Sequence, residues 1–167
     1  MRIRIKEPHR LPSVMDMQEV VRIFRASYKR KRAITNESSY QYLESVRDIA
    51  VLELLFTTGA RVSEIANLRK EAINLHSGSL TIRGKGNKER IIQICNKETI
   101  CLLQHYYSLV EDRSKAAGGW FLINRLNTKL SDQSIRNMVK AMAKSAGIAK
   151  RVTPHVFRHS FATLLLV

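Results

Sequence analysis

The chain has 167 residues, enough for one domain with a hydrophobic core. No stretch approaches the roughly 20 apolar residues that cross a bilayer, and the segment Met1 to Pro8 lacks the apolar run of a secretory signal, so the sequence reads as cytoplasmic. The formal charge is +15, with 29 Lys and Arg against 14 Asp and Glu; on one small domain this points to a polyanion, and to nucleic acid before a membrane surface.

Residues 1–12, with Pro8 and Pro12, read as an extended lead-in. A helix follows from Asp16 to Tyr28, with Val20, Val21, Ile23 and Phe24 on its apolar side and the basic run Lys29 to Arg32 at its end. A second helix spans Ser39 to Thr57. Its apolar side carries Leu43, Val46, Ile49, Ala50, Leu52 and Leu55, and Gly59 is placed to end it in a left-handed conformation. A short helix from Val62 to Leu68 puts Arg61 at its head.

The middle predicts a small antiparallel sheet. Ala72 to Leu75 leads into a turn at His76-Ser77-Gly78. Ser79 to Arg83 and Arg90 to Ile94 are strands joined by the hairpin turn Gly84-Lys85-Gly86-Asn87-Lys88. Asn96 caps a helix to Val110. Asp112 to Gly119 reads as a polar, flexible connection, and Trp120 to Ile123 as a short apolar segment. Ser131 caps a helix ending near Gly147, and Thr153 caps a last one with Pro154 at its first position. That last helix runs into Leu164-Leu165-Leu166-Val167 without a stop signal, the pattern of a truncated core helix. The two cysteines, Cys95 and Cys101, form no CxxC pair and read as reduced, partly buried thiols, which sets zinc and disulfide frameworks aside.

Three segments carry chemistry. Arg61 stands in Thr58-Gly59-Ala60-Arg61-Val62-Ser63-Glu64. Lys85 stands between two glycines of the predicted hairpin. His155 and Arg158 are spaced i, i+3 and share one helix face. In-line attack on a phosphodiester builds negative charge on the non-bridging oxygens, which two arginines can clamp with planar, permanently charged donors. A lysine can protonate the leaving 5′ oxygen, and a histidine can accept a proton from the attacking hydroxyl. Singly, each feature has a plainer reading: a helix cap for Arg61, a solvated hairpin tip for Lys85, a core or capping histidine for His155. The glycine-rich turn is no Walker A loop, since G-x-x-x-x-G-K-[ST] is absent.

Taken in order, the segments resemble the catalytic domain of the tyrosine recombinases, or phage integrase family. TGARVSEIANL is similar to the family's T-G-x-R-x-S-E-[IL]-x-x-L motif, GKGNKER to its β-hairpin lysine motif, and TPHVFRHSFAT to its H-x-x-R box. The resemblance covers about residues 6–167. It implies a mainly α fold with a small antiparallel β-sheet (α+β) and a single catalytic domain over residues 1–167. It implies catalytic roles for Arg61, Lys85, His155 and Arg158, active-site support from Glu64 and His159, and DNA contacts from Arg83, Lys88 and Arg90. It also implies cleavage through a 3′-phosphotyrosyl intermediate without ATP, metal or any other cofactor, and a tetramer of protomers on duplex DNA.

Two departures qualify it. The family's nucleophilic tyrosine falls beyond Val167, and its helical core-binding domain before residue 1; the expectation is therefore a C-terminally incomplete catalytic-domain fragment that binds DNA and does not cleave alone. The tyrosines at 28, 40, 42, 106 and 107 all precede the H-x-x-R box, and Tyr106 and Tyr107 read as packing residues. Two other classes stand beside this reading. One is a non-enzymatic DNA-binding or regulatory module derived from a recombinase. The other is a generic basic RNA-binding protein, in which Arg61, Lys85, His155 and Arg158 would not converge.

Overall fold

The computed structural model describes residues 14–158. Helix α1, Met17–Arg32, opens on a capping box: the Asp16 carboxylate accepts the Glu19 amide at 2.8 Å, and Glu19 accepts the Asp16 amide at 3.0 Å. It extends one turn past Tyr28, because the basic run suits the negative end of a helix dipole and stays helical. Val20 and Ile23 are buried; Val21, expected on the apolar side, is exposed.

Helix α2, Tyr40–Thr58, is the centre of the domain. Ser39 caps it, and residues from Val46 to Leu55 are buried nearly all round. Helices α1, α4 and α5 pack on it. Such burial explains why its pattern is broadly apolar rather than a narrow stripe. Inside it lies a charged pair invisible to that pattern: Arg47 donates to Asp48 at 2.8 Å, and both are buried.

Helix α2 stops at Gly59 (φ 61°, ψ 18°), and α3, Val62–Ala66, starts three residues later. Strands β1 (Ile73–Asn74), β2 (Ser79–Arg83) and β3 (Glu89–Gln93) form an antiparallel sheet in chain order. Leu80 and Ile82 point to the core, so β2 anchors the sheet while β3 is its exposed edge.

Helix α4, Lys97–Ala116, overturns the expected flexible connection after Asp112. Its last turns hold because Glu111 and Lys115 pair at 2.8 Å across i, i+4. Ser114, fully buried, also donates to the Trp120 carbonyl at 2.6 Å. Gly118 and Gly119, both at positive φ, then reverse the chain. Phe121 to Ile123, in the segment read as apolar, are buried, with Phe121 edge-on to Tyr106. Helix α5, Asp132–Ser145, follows its Ser131 cap. Both cysteines are exposed rather than partly buried: Cys95 lies between β3 and the Asn96 cap, and Cys101 on the solvent side of α4.

The last described helix, α6, covers residues 154–158. Thr153 Oγ1 accepts the Val156 amide at 3.2 Å, which is the expected cap. Phe157 is fully buried between Phe24 of α1 and Phe56 of α2, with ring centroids 6.2 and 5.8 Å away. This aromatic cluster seats α6 at the C-terminal end of α2.

Candidate active site

The turn between α2 and α3 shapes the first part of the site. Thr58 Oγ1 donates to the Leu54 carbonyl and accepts the Ala60 amide at 3.1 Å, and the left-handed Gly59 swings the chain out of the helix. Thr-Gly is therefore what places Arg61, in extended conformation, at the N-cap of α3. The Arg61 side chain is about half exposed. Its backbone amide is accepted by Glu64 Oε2 at 2.7 Å, and its Nη1 lies 3.5 Å from Glu64 Oε1.

Arg158 arrives from the other end of the chain. With Phe157 buried, the next side chain of α6 lies over the turn, and Arg158 Nε donates to the Gly59 carbonyl at 2.6 Å. That bond uses one of the five guanidinium N–H donors. His155 is exposed, one helical turn earlier on α6.

Lys85 reaches the same neighbourhood through the hairpin. Arg83 pairs with Glu89 in register, and residues 84–88 form the loop, closed by the Gly84 amide on the Lys88 carbonyl at 2.8 Å. The sharp turn is made by Gly86 (φ 74°) and Asn87 (φ 57°). Gly84, expected to help turn the chain, is extended there and lies beside Glu64, where a Cβ would be 3.4 Å from Oε1. Lys85 and Lys88 are exposed.

A cavity of about 360 Å³ is lined by Arg61, Ser63, Glu64, Asn67, Arg83, Gly84 and Lys85. Two of the expected catalytic cations therefore share one cavity, and a third is fastened to the turn beside it. His155 and Arg158 are not among its lining residues, and His159 lies outside the described residues. Arg83 pairs with Glu89 at 2.8 Å on the surface. Arg90 does not stand free: its fork meets Glu64 at 3.1 and 2.9 Å.

Glu64 is the electrostatic pivot. Burial pushes its carboxyl up, but the Arg90 hydrogen bonds, the Arg61 amide and the charges of Arg90 and Arg61 outweigh this and hold it below the usual glutamate range. It stays ionised inside a cationic cavity and keeps Arg61 oriented. Among the described residues there is no group of three or more His, Cys, Asp or Glu that could hold a metal ion.

None of the five tyrosines lines this cavity. Tyr106 is buried and accepts the Ile123 amide, and burial raises its pKa. Tyr107 stacks on Phe121, and Tyr42 meets His105 at 3.1 Å. Tyr40 accepts from Arg47 at 3.2 Å, and Tyr28 sits 3.5 Å from Glu53.

Sequence reasoning missed Ser63 and Asn67 as lining residues, and Arg90 as the partner of Glu64. The third was recoverable. Arg90, Ile92 and Ile94 alternate on one strand face, and Arg90 lies opposite the buried Ile82. An arginine opposite an inward-facing residue lies near the buried layer, where the Glu64 carboxylate can meet it, although its side chain stays 42% exposed.

The Phage integrase family model matches residues 13–167.

The chain belongs to the phage integrase family.

A tyrosine recombinase of Agathobacter rectalis is 38% identical over 164 residues, covering 98% of this chain and 53% of the relative. Among solved structures, the XerA recombinase superposes with a TM-score of 0.74 at 26% identity, covering 96% of this chain and 51% of that one. XerH, solved on its palindromic difH substrate, shares the fold with a TM-score of 0.73 at 23% identity, over 93% of this chain and 42% of that one. The chain thus spans about half the length of the curated relatives it matches. The mainly helical fold with a three-stranded antiparallel sheet is that of the phage integrase family. No described helix is long and apolar enough to cross a membrane.

Proposed function

We propose that this chain binds duplex DNA and provides the phosphate clamp of a site-specific recombinase. The observation that carries this reading is the Arg158–Gly59 hydrogen bond, which fastens the H-x-x-R helix to the turn bearing Arg61. In this role Arg61 and Arg158 bind the non-bridging oxygens of the scissile phosphate, where preorganised donors lower the barrier most. Lys85 delivers a proton to the 5′ oxygen as its bond to phosphorus breaks. His155 takes the proton of the attacking tyrosine hydroxyl as its oxygen bonds to phosphorus. Lys88 and Arg83 contact the DNA backbone beside the hairpin. The XerH complex with difH and the +15 charge support DNA as the partner, and other protomers complete the assembly as in the family.

The nucleophile in this reading is none of Tyr28, Tyr40, Tyr42, Tyr106 or Tyr107, each of which is engaged by partners away from the turn that bears Arg61. The same observation favours a second reading, a DNA-binding or regulatory module without cleavage of its own. A DNA substrate that traps covalent adducts tests both. The chain alone is expected to bind and form no adduct. A chimera in which the remaining C-terminal segment of the Agathobacter rectalis recombinase follows Val167 is expected to form one. An adduct with the chain alone overturns the assignment of the nucleophile; no adduct with a folded, DNA-binding chimera leaves the module reading in place.

A further inference from the structure

The Glu64–Arg90 pair lies outside every assigned catalytic step, yet it touches both halves of the cavity. Glu64 belongs to α3 and organises Arg61. Arg90 belongs to β3, one residue past Glu89, whose partner Arg83 closes the hairpin. The pair is bidentate, at 3.1 and 2.9 Å, with the Glu64 side chain only 5% exposed. Gly84, next to Lys85, neighbours the pair: a Cβ there would lie in ordinary contact, 3.4 Å from Glu64 Oε1 and 3.7 Å from Arg90 Nη1. No other described ion pair joins the sheet to α3.

We infer that Arg90 is a positioning residue: it latches the Lys85 hairpin to α3 through Glu64, so that Lys85 and Arg61 are presented to one phosphate together. This inference rests on the recombinase reading and deepens it. A surface arginine beside a basic hairpin would ordinarily be read as a phosphate contact. Here one N–H of each Nη, two of the five donors, meets the Glu64 carboxylate, which fixes the plane and direction of a guanidinium that is otherwise 42% exposed. Gly84 lies beside the pair, where a Cβ would be in ordinary contact with Glu64 and Arg90.

The consequence is local. A five-residue hairpin tip with exposed Lys85, Gly86, Asn87 and Lys88 has little packing of its own. Without Arg90, Glu64 is left as a buried carboxylate with a weaker partner, and it turns toward water. Both the Arg61 amide, which Glu64 accepts, and the Gly84 amide, which closes the hairpin, then open more readily.

The test uses the chain itself, by amide hydrogen exchange and by duplex DNA binding over a range of salt. In Arg90→Gln, exchange at Arg61 and Gly84 is expected to speed up roughly tenfold or more, the scale of a lost charged hydrogen bond. Core amides of α2 and α5 keep their rates, and the salt slope of binding is unchanged. Arg90→Lys, which keeps a charge but not the fork, is expected to fall between. A slope reduced by about one, the mark of a lost phosphate contact, overturns the latch whatever the exchange shows. Unchanged exchange at Arg61 and Gly84 overturns it, and so does faster exchange throughout the core. If Arg90→Gln does not fold, Glu64→Gln is measured by the same criteria. If the chain does not bind duplex DNA, the recombinase reading fails, and the exchange data alone decide the latch.

Discussion

Arg158 reaches Gly59 across 99 positions of sequence, donating its Nε to that carbonyl at 2.6 Å. The bond joins the two motifs that carry arginines, and it does so through backbone geometry. The Gly59 carbonyl is one that the end of α2 leaves without a helical partner, so a guanidinium satisfies it well. Phe157, buried against Phe24 and Phe56, supplies the packing that aims Arg158. Positioning and packing are thus divided between neighbouring residues.

That division predicts a separation of effects at Arg158. Arg158→Ala should cost about 1 kcal/mol in stability, as for an ordinary hydrogen bond, because Phe157 still seats α6. In the chimera, adduct formation should fall by about 10²- to 10³-fold, the range for removing one preorganised donor to a developing oxyanion. Arg158→Lys should recover stability more than rate, since a lysine lacks the planar fork. Thermal melting and single-turnover adduct assays measure the two quantities. Wild-type rates in a folded Arg158→Ala chimera would remove Arg158 from the clamp.

Glu64 gives the domain a defined acid sensitivity. Its folded pKa lies below the ordinary glutamate value, so between the two the unfolded chain binds more protons than the folded one. The stabilisation it confers is therefore complete above the unfolded value, about 4.3, and disappears as pH falls through the lower folded value. Denaturant melts of wild type and Glu64→Gln should differ most near neutrality and converge in acid. A difference that grows on acidification would contradict the pairing with Arg90 and Arg61.

What the sequence disclosed and what it concealed follow from range. Caps are local: Asn96, Ser131 and Thr153 cap the helices expected of them, and Asp16 and Ser39, read as the first residues of their helices, cap those. The motifs placed Arg61 at a helix head and Lys85 on a hairpin. Their association was an expectation of family resemblance, and the 360 Å³ cavity that Arg61 and Lys85 share is a tertiary fact. The helical end of α4 was hidden because its polar residues lack an apolar stripe, and Ser114 is held by a carbonyl beyond the helix. The Arg47–Asp48 pair was hidden because adjacent opposite charges on a helix look solvated, and only the surrounding helices bury them.

That buried pair makes the core depend on a polar contact. Arg47 donates to Asp48, to Tyr40 and to the Ile123 carbonyl, linking α2 to the segment before α5. Arg47→Leu leaves the Asp48 carboxylate buried with only Arg30 nearby, at 3.7 Å, and should destabilise the domain by about 3–5 kcal/mol. Arg47→Leu with Asp48→Leu should be milder than Arg47→Leu alone, since no charge is then stranded. Chemical denaturation of the two variants makes the comparison. A double variant weaker than the single one would show that the pair is needed for more than mutual neutralisation.

Gly78 tests the sheet independently of the site. It sits at φ +76°, and an added Cβ would lie 2.6 Å from Ile100 Cδ1 and 2.8 Å from the Ile94 carbonyl. Gly78→Ala combines left-handed strain with a backbone clash, and should cost roughly 1–3 kcal/mol or more. The loss should appear in thermal stability, while the salt slope of DNA binding stays unchanged. An unaltered melting temperature would mean that the turn between β1 and β2 rearranges freely.

Lys85 offers the most direct chemical test, because its proposed role is defined by a proton. An alkoxide leaving group needs that proton as its bond to phosphorus breaks; a thiolate, whose conjugate acid has a pKa of about 8.5, does not. In the chimera, Lys85→Ala should slow adduct formation on ordinary DNA by about 10²- to 10⁴-fold, and replacing the leaving 5′ oxygen with sulfur should restore most of the rate. Arg61→Ala should not be restored by the same replacement, since the charge it faces lies on the non-bridging oxygens, which sulfur at the leaving position does not change. Equal rescue of both variants would place Lys85 in the phosphate clamp and leave the proton donor to another group. No rescue of Lys85→Ala would remove proton delivery from its role.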